Sequence, residues 1–471
     1  MMITEIIKVA TTEFETKMFE LGKDLDTRRL TSELAGQVSQ ALENAMASAT
    51  RAALKTFIER YDVSEPSLDI NGQTVRFKDR VSKEFLTRFG PIDIQRGLYQ
   101  ADRGGSAYVP LDILWEMQGH YAVPEVREAI CFAMAHMTAE ETAQLFSMCS
   151  LFKPSSQAIK NIVEKVQMEI EPHWETLDQR VRDQIKPSSE TRALVVSMDG
   201  VNVLLREPGS RQRRPSERPG TEQETEKNSS YKNAMVGTIS LYGDVVDAQK
   251  NPCPERLATF STARMPEHRA VTFKNRFDLQ VADMENNVGS EVTKVILCDA
   301  HPVLWNYIDH HARFDDYEKL VDFYHTEEHL SKAAEALFGK KSEQAQDWYN
   351  TYRTKLLEQD GGASLVIRSM MYHRDTLRLS KSRLKKLSQE QTFFRRNKHR
   401  MTYADFRSRG LPIGSGPVEA ACKSIVKTRL CRSGMRWSRE GGQRILNLRC
   451  YAKSGLWNEF WNAYMSIKKA A

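Results

Sequence analysis

The chain has 471 residues, of which 40% are hydrophobic and 28% charged, with a net charge of +6. That length exceeds what one core supports and implies about two to four domains, while no apolar run approaches the roughly 20 residues of a membrane-spanning helix. Its seven cysteines, an odd number without a CxxC pair, speak against a disulfide framework and fit reduced thiols in a cytoplasmic setting.

The charge is unevenly placed. From Ser364 to Ala471 there are 24 Lys and Arg against 6 Asp and Glu, a local +18, so the rest of the chain carries +6 minus +18, or −12. A basic quarter on an acidic body is the footprint of a polyanion binder, most often nucleic acid. An ordinary solvated surface would intersperse the two signs.

Residues 1 to about 60 read as helices. The first, with Ile3, Ile6, Ile7, Ala10 and Phe14 at helical spacing and early glutamates, is amphipathic and is not a signal peptide. From about 70 to 110 the pattern alternates, and Asn71-Gly72 predicts a hairpin turn. Helices return from Pro124 to about Leu177, and two of them, around "TAEETAQLFS" and "SSQAIKNIVEKVQMEI", fit either a helix-turn-helix or plain helix packing.

The period then changes. "TRALVVSMDGVNVLL" predicts a strand broken at Asp199-Gly200, followed by a Pro, Arg, Glu and Ser-rich mobile loop over 207–230. Strands at "NAMVGTISLYG" and "RLATFST", a helix near Phe277 to Met284, a strand "KVILCDAH", a helix "PVLWNYIDHHARF" and a strand "KLVDFYH" come next. Nearly pure helix runs from Glu327 to about Arg409. The predicted class is α/β, a mixed five-stranded sheet with flanking helices and an all-helical interruption. The expected regions are 1–110 (helices and small hairpin), 111–185 (helical), 186–330 (first part of the core), 331–410 (helical insertion), 411–455 (second part of the core, with a glutamate helix) and 456–471 (a basic tail).

Three acids stand at special places in this layout. Asp199 is expected to end the first strand of the sheet and Asp299 the fourth, and Glu419 lies just inside a helix starting at Ser415 or Pro417. If those strands are neighbours, the aspartates meet at one sheet edge and the helix can add the glutamate. Hard divalent cations take oxygen ligands, and a carboxylate cluster of this kind can hold two of them for phosphodiester chemistry. Lys423, Lys427, Arg429, Arg432 and Arg436 around Glu419 are candidate phosphate contacts, which position DNA without reading its sequence. Trp437 fits either stacking on an unpaired base or packing against the glutamate helix.

The string "GLPIGSGPVEAACKSIVKTRLCRSGMRWSREGGQRILNLRC", with "NKHRMTYADF" before it and "SGLWNEFW" after it, closely resembles bacterial insertion-sequence transposases of the Kra group. "VVSMDG", "VILCDAH", "DFYHTEEHL" and "FGPIDIQRGLYQADRGGSAYVPLD" match further motifs in order, so the resemblance spans about residues 84 to 461. It implies a DDE enzyme, distantly similar to Mutator-type transposases, with a ribonuclease-H-like core and a mainly helical N-terminal DNA-binding region. Asp199, Asp299 and Glu419 would be the catalytic triad, holding two Mg²⁺ or Mn²⁺ ions. The partners implied are duplex DNA, as terminal inverted repeats and as target, and a second copy of the chain in a dimer or larger assembly, nucleoid-associated in the cytoplasm and with no membrane. Asp322-x-x-His325 matches a further motif near the active site, with support of the site weighed against direct ligation. Relatives carry a cysteine pair near "YQADRGGS", and this chain lacks it, which removes the ligands for a small N-terminal metal knuckle. Two other readings stay open: a non-catalytic DNA-binding relic, and a structure-selective nuclease on the same core. Cys298-x-x-His301 with His325-x-x-x-His329 imitates a zinc site, but strand alternation turns Cys298 away from the face of Asp299.

Overall fold

The computed structural model describes residues 2–24, 30–70, 72–101, 105–149, 152–206, 231–247 and 250–470. The loop expected at 207–230 and residue 71 of the expected hairpin turn lie outside the described residues. The chain divides into two units: residues 1–177 with 461–471, and residues 178–460.

The first unit opens with two helices, α1 (Met2–Asp24) and α2 (Ser32–Glu59). Thr31 caps the second, accepting the Leu34 N–H. A four-stranded antiparallel sheet follows: β1 (Ser67–Ile70), β2 (Gln73–Thr87), β3 (Gly90–Ala101) and β4 (Ala107–Tyr108). Ile70 pairs with Gln73, as a two-residue Asn71-Gly72 connection requires. The β2–β3 hairpin is longer than the short strands expected, because period-two alternation persists through "IDIQRGLYQ". Helices α3 (Pro110–Leu114), α4 (Pro124–His136), α5 (Ala139–Cys149) and α6 (Ser156–Ile170) complete the unit's middle. The α5–α6 pair was expected, and α6 buries Ile159, Ile162, Val163, Val166 and Ile170 along one stripe. Helix α7 (Trp174–Arg182) leads into the second unit.

That unit is built on a five-stranded mixed sheet. Its strands are β5 (Ala193–Leu204), β6 (Tyr231–Val246), β7 (Pro252–Arg264), β8 (Thr293–Cys298) and β9 (Glu318–Val321), in the spatial order β7-β6-β5-β8-β9. Strands β6 and β7 run antiparallel to their neighbours, whereas β8 is parallel to β5 and β9 parallel to β8. Helix α8 (Val271–Asn287) is longer than the expected 277–284, and α9 (Pro302–Asp309) follows β8. The strand expected through "DFYH" stops at Val321. Asp322 caps a helix there, α10 (Phe323–Phe338), because its carboxylate accepts the His325 N–H. The helical insertion continues with α11 (Glu343–Glu358), α12 (Gly362–Thr376), α13 (Lys381–Asn397) and α14 (Tyr403–Ser408).

Strand alternation sorts the core into two layers. Even-numbered Leu194, Val196, Met198, Ile296 and Cys298 pack with Phe277 and Val281 of α8 and Trp305 and Ile308 of α9. Odd-numbered Ala193, Val195, Val295 and Leu297 pack with Leu330 of α10, Val366 of α12 and Phe394 of α13. Helices therefore cover both faces, as parallel strands require.

The glutamate helix α15 (Gly416–Ala421) begins where a proline in its first turn places it, and continues through a π turn (Cys422–Lys427) into a last α turn (Thr428–Leu430). Helix α16 (Arg439–Lys453) follows, and α17 (Trp457–Ala470) ends the chain. The segment expected as a basic tail is thus helical. Phe460, Trp461 and Tyr464, at helical spacing in it, are buried, with Tyr464 1% exposed.

Candidate active site

Asp199 does not end its strand. It is paired with Val236 of β6 in mid-ladder, and β5 runs on to Leu204. Gly200 does not break the strand, because its missing side chain makes room for Asn233, whose amide would lie 2.4 Å from a Cβ there. On the other side the situation differs. The parallel ladder with β8 ends at Val196 opposite Ile296, so Asp199 lies beyond the last β8 pair. Asp299 follows Cys298, the last residue of β8, as expected. Asp199 and Asp299 each lie three residues past the last pair of that ladder, Val196 with Ile296. Both carry odd numbers in this register, so alternation turns them to the sheet face covered by α10.

The acids act on one another electrostatically. Burial pushes the Asp299 carboxyl up to about 7, reinforced by the charges of Asp199, Asp322, Glu419 and Glu328. Asp199, Asp299 and Glu419 therefore share one field, together with two acids of the β9–α10 region. Glu328 in that set was missed by sequence reasoning; its position one turn beyond Tyr324 on an exposed helix face is not distinctive.

Each acid is held differently. The Asp299 carbonyl accepts the Trp305 indole N–H at 2.8 Å, which pins the turn after β8 to α9. Asp199 accepts the Gly200 N–H at 2.6 Å and the Cys422 thiol at 3.4 Å. Burial and the neighbouring Asp199 push that thiol's proton affinity up, so Cys422 stays a neutral donor. Glu419 is exposed, with the Ser415 hydroxyl 3.4 Å from its carboxylate.

Asp322 is buried completely and joins three segments. Its N–H donates to the Cys298 carbonyl at 2.9 Å. One carboxylate oxygen accepts the His325 N–H at 2.6 Å, and the other accepts the Ser415 N–H. Phe323 N–H to Ile413 O at 2.9 Å extends the seam. The residue thus fastens the end of β8 and the start of α10 to the loop before Glu419. Asp322 fits site support. His325 contributes its backbone to this cap, and its ring meets His329 and Phe393, with burial holding its proton affinity down.

The Gly-Ser-Gly before the glutamate now has a reason. A Cβ on Gly414 would lie 2.6 Å from the Tyr324 ring, so the loop can approach α10 only without a side chain there.

The basic flank divides. Lys423, Lys427, Arg432 and Arg436 are exposed. The π turn inserts an extra residue between Cys422 and Lys427, so simple α spacing from Glu419 does not place Lys427. Arg429 is only 3% exposed, with its guanidinium 5.1 Å from the Trp437 ring centre, so it is not a surface phosphate contact. The run of bases around it concealed that one of them points inward. Trp437 is half-buried; its indole donates to the Leu430 carbonyl at 3.0 Å and its backbone bonds to Leu204 and Arg206. Of its two readings, packing against the end of the glutamate helix is the one this geometry fits. Arg449, also missed, is buried on α16 and donates to the Ser424 and Ile425 carbonyls inside the π turn. Burial lowers its proton affinity to about 10.

No protein-family model matches the chain, and no curated protein matches it.

Among the described residues, no three His, Cys, Asp or Glu side chains stand together as a group that could hold a metal ion. For the zinc alternative, Cys298 lies on the α8–α9 side of the sheet, where its sulfur accepts the Met198 N–H at 3.2 Å and burial pushes its thiol up to about 12. The donor chemistry of the acid cluster suits a hard cation: all candidate ligands are carboxylates, and their mutual repulsion is what a divalent charge would relieve. Among the described residues no helix is long and apolar enough to cross a membrane.

Proposed function

We propose that this chain is a DDE-type transposase that cleaves DNA at element ends and joins the freed ends to target DNA. One observation carries the reading: β5 and β8 are neighbouring parallel strands, which brings Asp199 and Asp299 to the same end of the sheet, and the charge of Glu419, on a helix 120 residues later in the chain, acts on Asp299 as well. The strand order, an antiparallel trio extended by two parallel strands, supports a ribonuclease-H-like core. The exposed Lys423, Lys427, Arg432 and Arg436 support a phosphate-backbone partner.

In the reaction, water attacks a phosphorus at the element end and the 3′-oxygen leaves with a proton. That 3′-hydroxyl then attacks a target phosphodiester, releasing the target's own 3′-oxygen. Two Mg²⁺ or Mn²⁺ ions held by Asp199, Asp299 and Glu419 would supply Lewis-acid activation of the attacking oxygen and charge relief at the leaving one. Holding them requires the exposed Glu419 side chain to turn toward the aspartates. Trp305 and Asp322 keep the backbone of the site in place, and Cys422 orients Asp199 through its thiol. Two ends must be held at once, so a dimer or larger assembly on DNA is part of the proposal.

The test is nicking and strand transfer with an element-end substrate in Mg²⁺. Asp199→Asn and Glu419→Gln are expected to abolish both while retaining duplex binding; undiminished activity in either refutes the assignment. Binding by the wild-type chain without metal-dependent nicking would replace it with a non-catalytic DNA-binding role, and cutting of branched DNA without joining with a nuclease.

A further inference from the structure

We propose that the outward face of α13 in the helical insertion is a second docking surface for double-helical DNA, gripping its phosphate backbone. The inference rests on the reading above only for the choice of DNA as the polyanion.

Between Thr376 and Ala404 the only acidic residue is Glu390, and it is buried, hydrogen-bonded to the His329 ring at 2.6 Å. The same stretch contains nine Lys and Arg. On α13 they are not scattered. At 100° per residue, Lys381, Lys385, Ser388, Thr392, Arg395 and Arg396 fall within a single stripe, and all six are exposed. Leu387, Glu390, Gln391 and Phe394 point the opposite way, into the insertion core. The stripe therefore offers four cations and two hydroxyls to solvent, with no acid among them.

A solvated helix face would look otherwise. Surface helices intersperse both signs, and glutamates four residues before lysines give them support. Here, among the described residues, Lys381, Lys385, Arg395 and Arg396 form no ion pair, the Arg395 contact being with the Met371 sulfur at 3.4 Å. Four like charges on one face repel each other, and that cost is recovered when a polyanion lies along them. From Lys381 to Arg396 the stripe is roughly 22 Å long at 1.5 Å per residue. Duplex DNA presents one charge about every 1.7 Å of axis, so that length meets several phosphates.

The helix that carries the face is capped and packs on α10. Ser380 caps α13, and Phe393 stacks on His329 of α10 with ring centres 3.6 Å apart. Glu328 on the same α10 is among the charges that raise Asp299. DNA lying on α13 would thus be held one helix away from the acid cluster.

The experiment measures binding of the full-length chain to a random-sequence duplex in EDTA, by fluorescence anisotropy, from about 50 to 200 mM salt. Each lost phosphate contact flattens the log–log salt slope by about 0.9, so the triple variant K381Q/K385Q/R396Q should flatten it by about 2.7. Across that fourfold salt range its affinity should fall roughly 40-fold less than the wild type's. The charge-preserving K381R/K385R/R396K should keep the wild-type slope. All three positions are exposed, and an unchanged unfolding midpoint checks that folding is intact. A wild-type chain that binds duplex with a slope the Gln variant does not change overturns this inference and leaves the proposed function standing. A wild-type chain that binds no duplex overturns both. Loss of binding to phosphatidylserine-containing vesicles, with duplex binding unchanged, would assign the face to a lipid surface and also overturn it.

Discussion

Removing the Asp322 carboxylate should loosen the second unit more than any other single change at the site. The side chain is fully buried and accepts two backbone N–H groups, from His325 and from Ser415, ninety-three residues apart in the second case. A hydrogen bond to a charged group contributes about 1.5–3 kcal/mol, and loss of a helix N-cap costs about 1 kcal/mol within that figure. Asp322→Ala leaves both donors without the carboxylate and should cost about 3–5 kcal/mol. Asp322→Asn keeps one acceptor oxygen but turns an NH₂ toward the other donor, and should cost about half as much. Urea unfolding in EDTA, followed by tryptophan fluorescence, reads both from the midpoint at constant slope. Nicking should fall in the Asn variant while duplex binding persists, because the loop before Glu419 loses its tether. An Ala variant that costs less than about 1 kcal/mol would refute the account.

Other expectations follow from the same geometry. Asp299 keeps its proton up to about pH 7 in the folded chain but only to about pH 4 when unfolded. Folding therefore takes up a proton between those values, and stability in EDTA should fall as pH rises from about 4 through 7. Asp299→Asn should raise the melting temperature at pH 8 in EDTA, above the window just given, and a lowered one would contradict it. Adding Mg²⁺ at that pH should stabilise the wild type and not Asp199→Asn; equal shifts in both would place the ion elsewhere. Gly414→Ala drives a methyl into the Tyr324 ring and should cost about 1–3 kcal/mol. Tyr324→Ala in the same chain should restore most of that loss, and thermal denaturation of the single and double variants measures the coupling.

Much of the architecture was legible in the sequence because its signals are local. Alternation marked β5, β6, β7 and β8, whereas only the sheet order makes β5 and β8 neighbours. Proline after Ser415 set the start of the glutamate helix, and the turn at the end of β8 exposed Asp299. The same alternation put Cys298 on the face away from Asp299, where the core holds it.

Local signals failed where a distant segment determines a residue's environment. Asp199-Gly200 resembles a turn, yet pairing with β6 keeps the strand extended, because Asn233 fills the space above the glycine. Arg429 resembles its exposed neighbours until Trp437 closes over it. "DFYH" alternates like a strand, but the Asp322 carboxylate recruits N–H groups from His325 and Ser415 and starts a helix instead. Sequence alone thus determined which residue types could hold a cation and which elements could carry them. Tertiary structure decided which side chains face one another, because burial and long-range hydrogen bonds join positions that no short window contains.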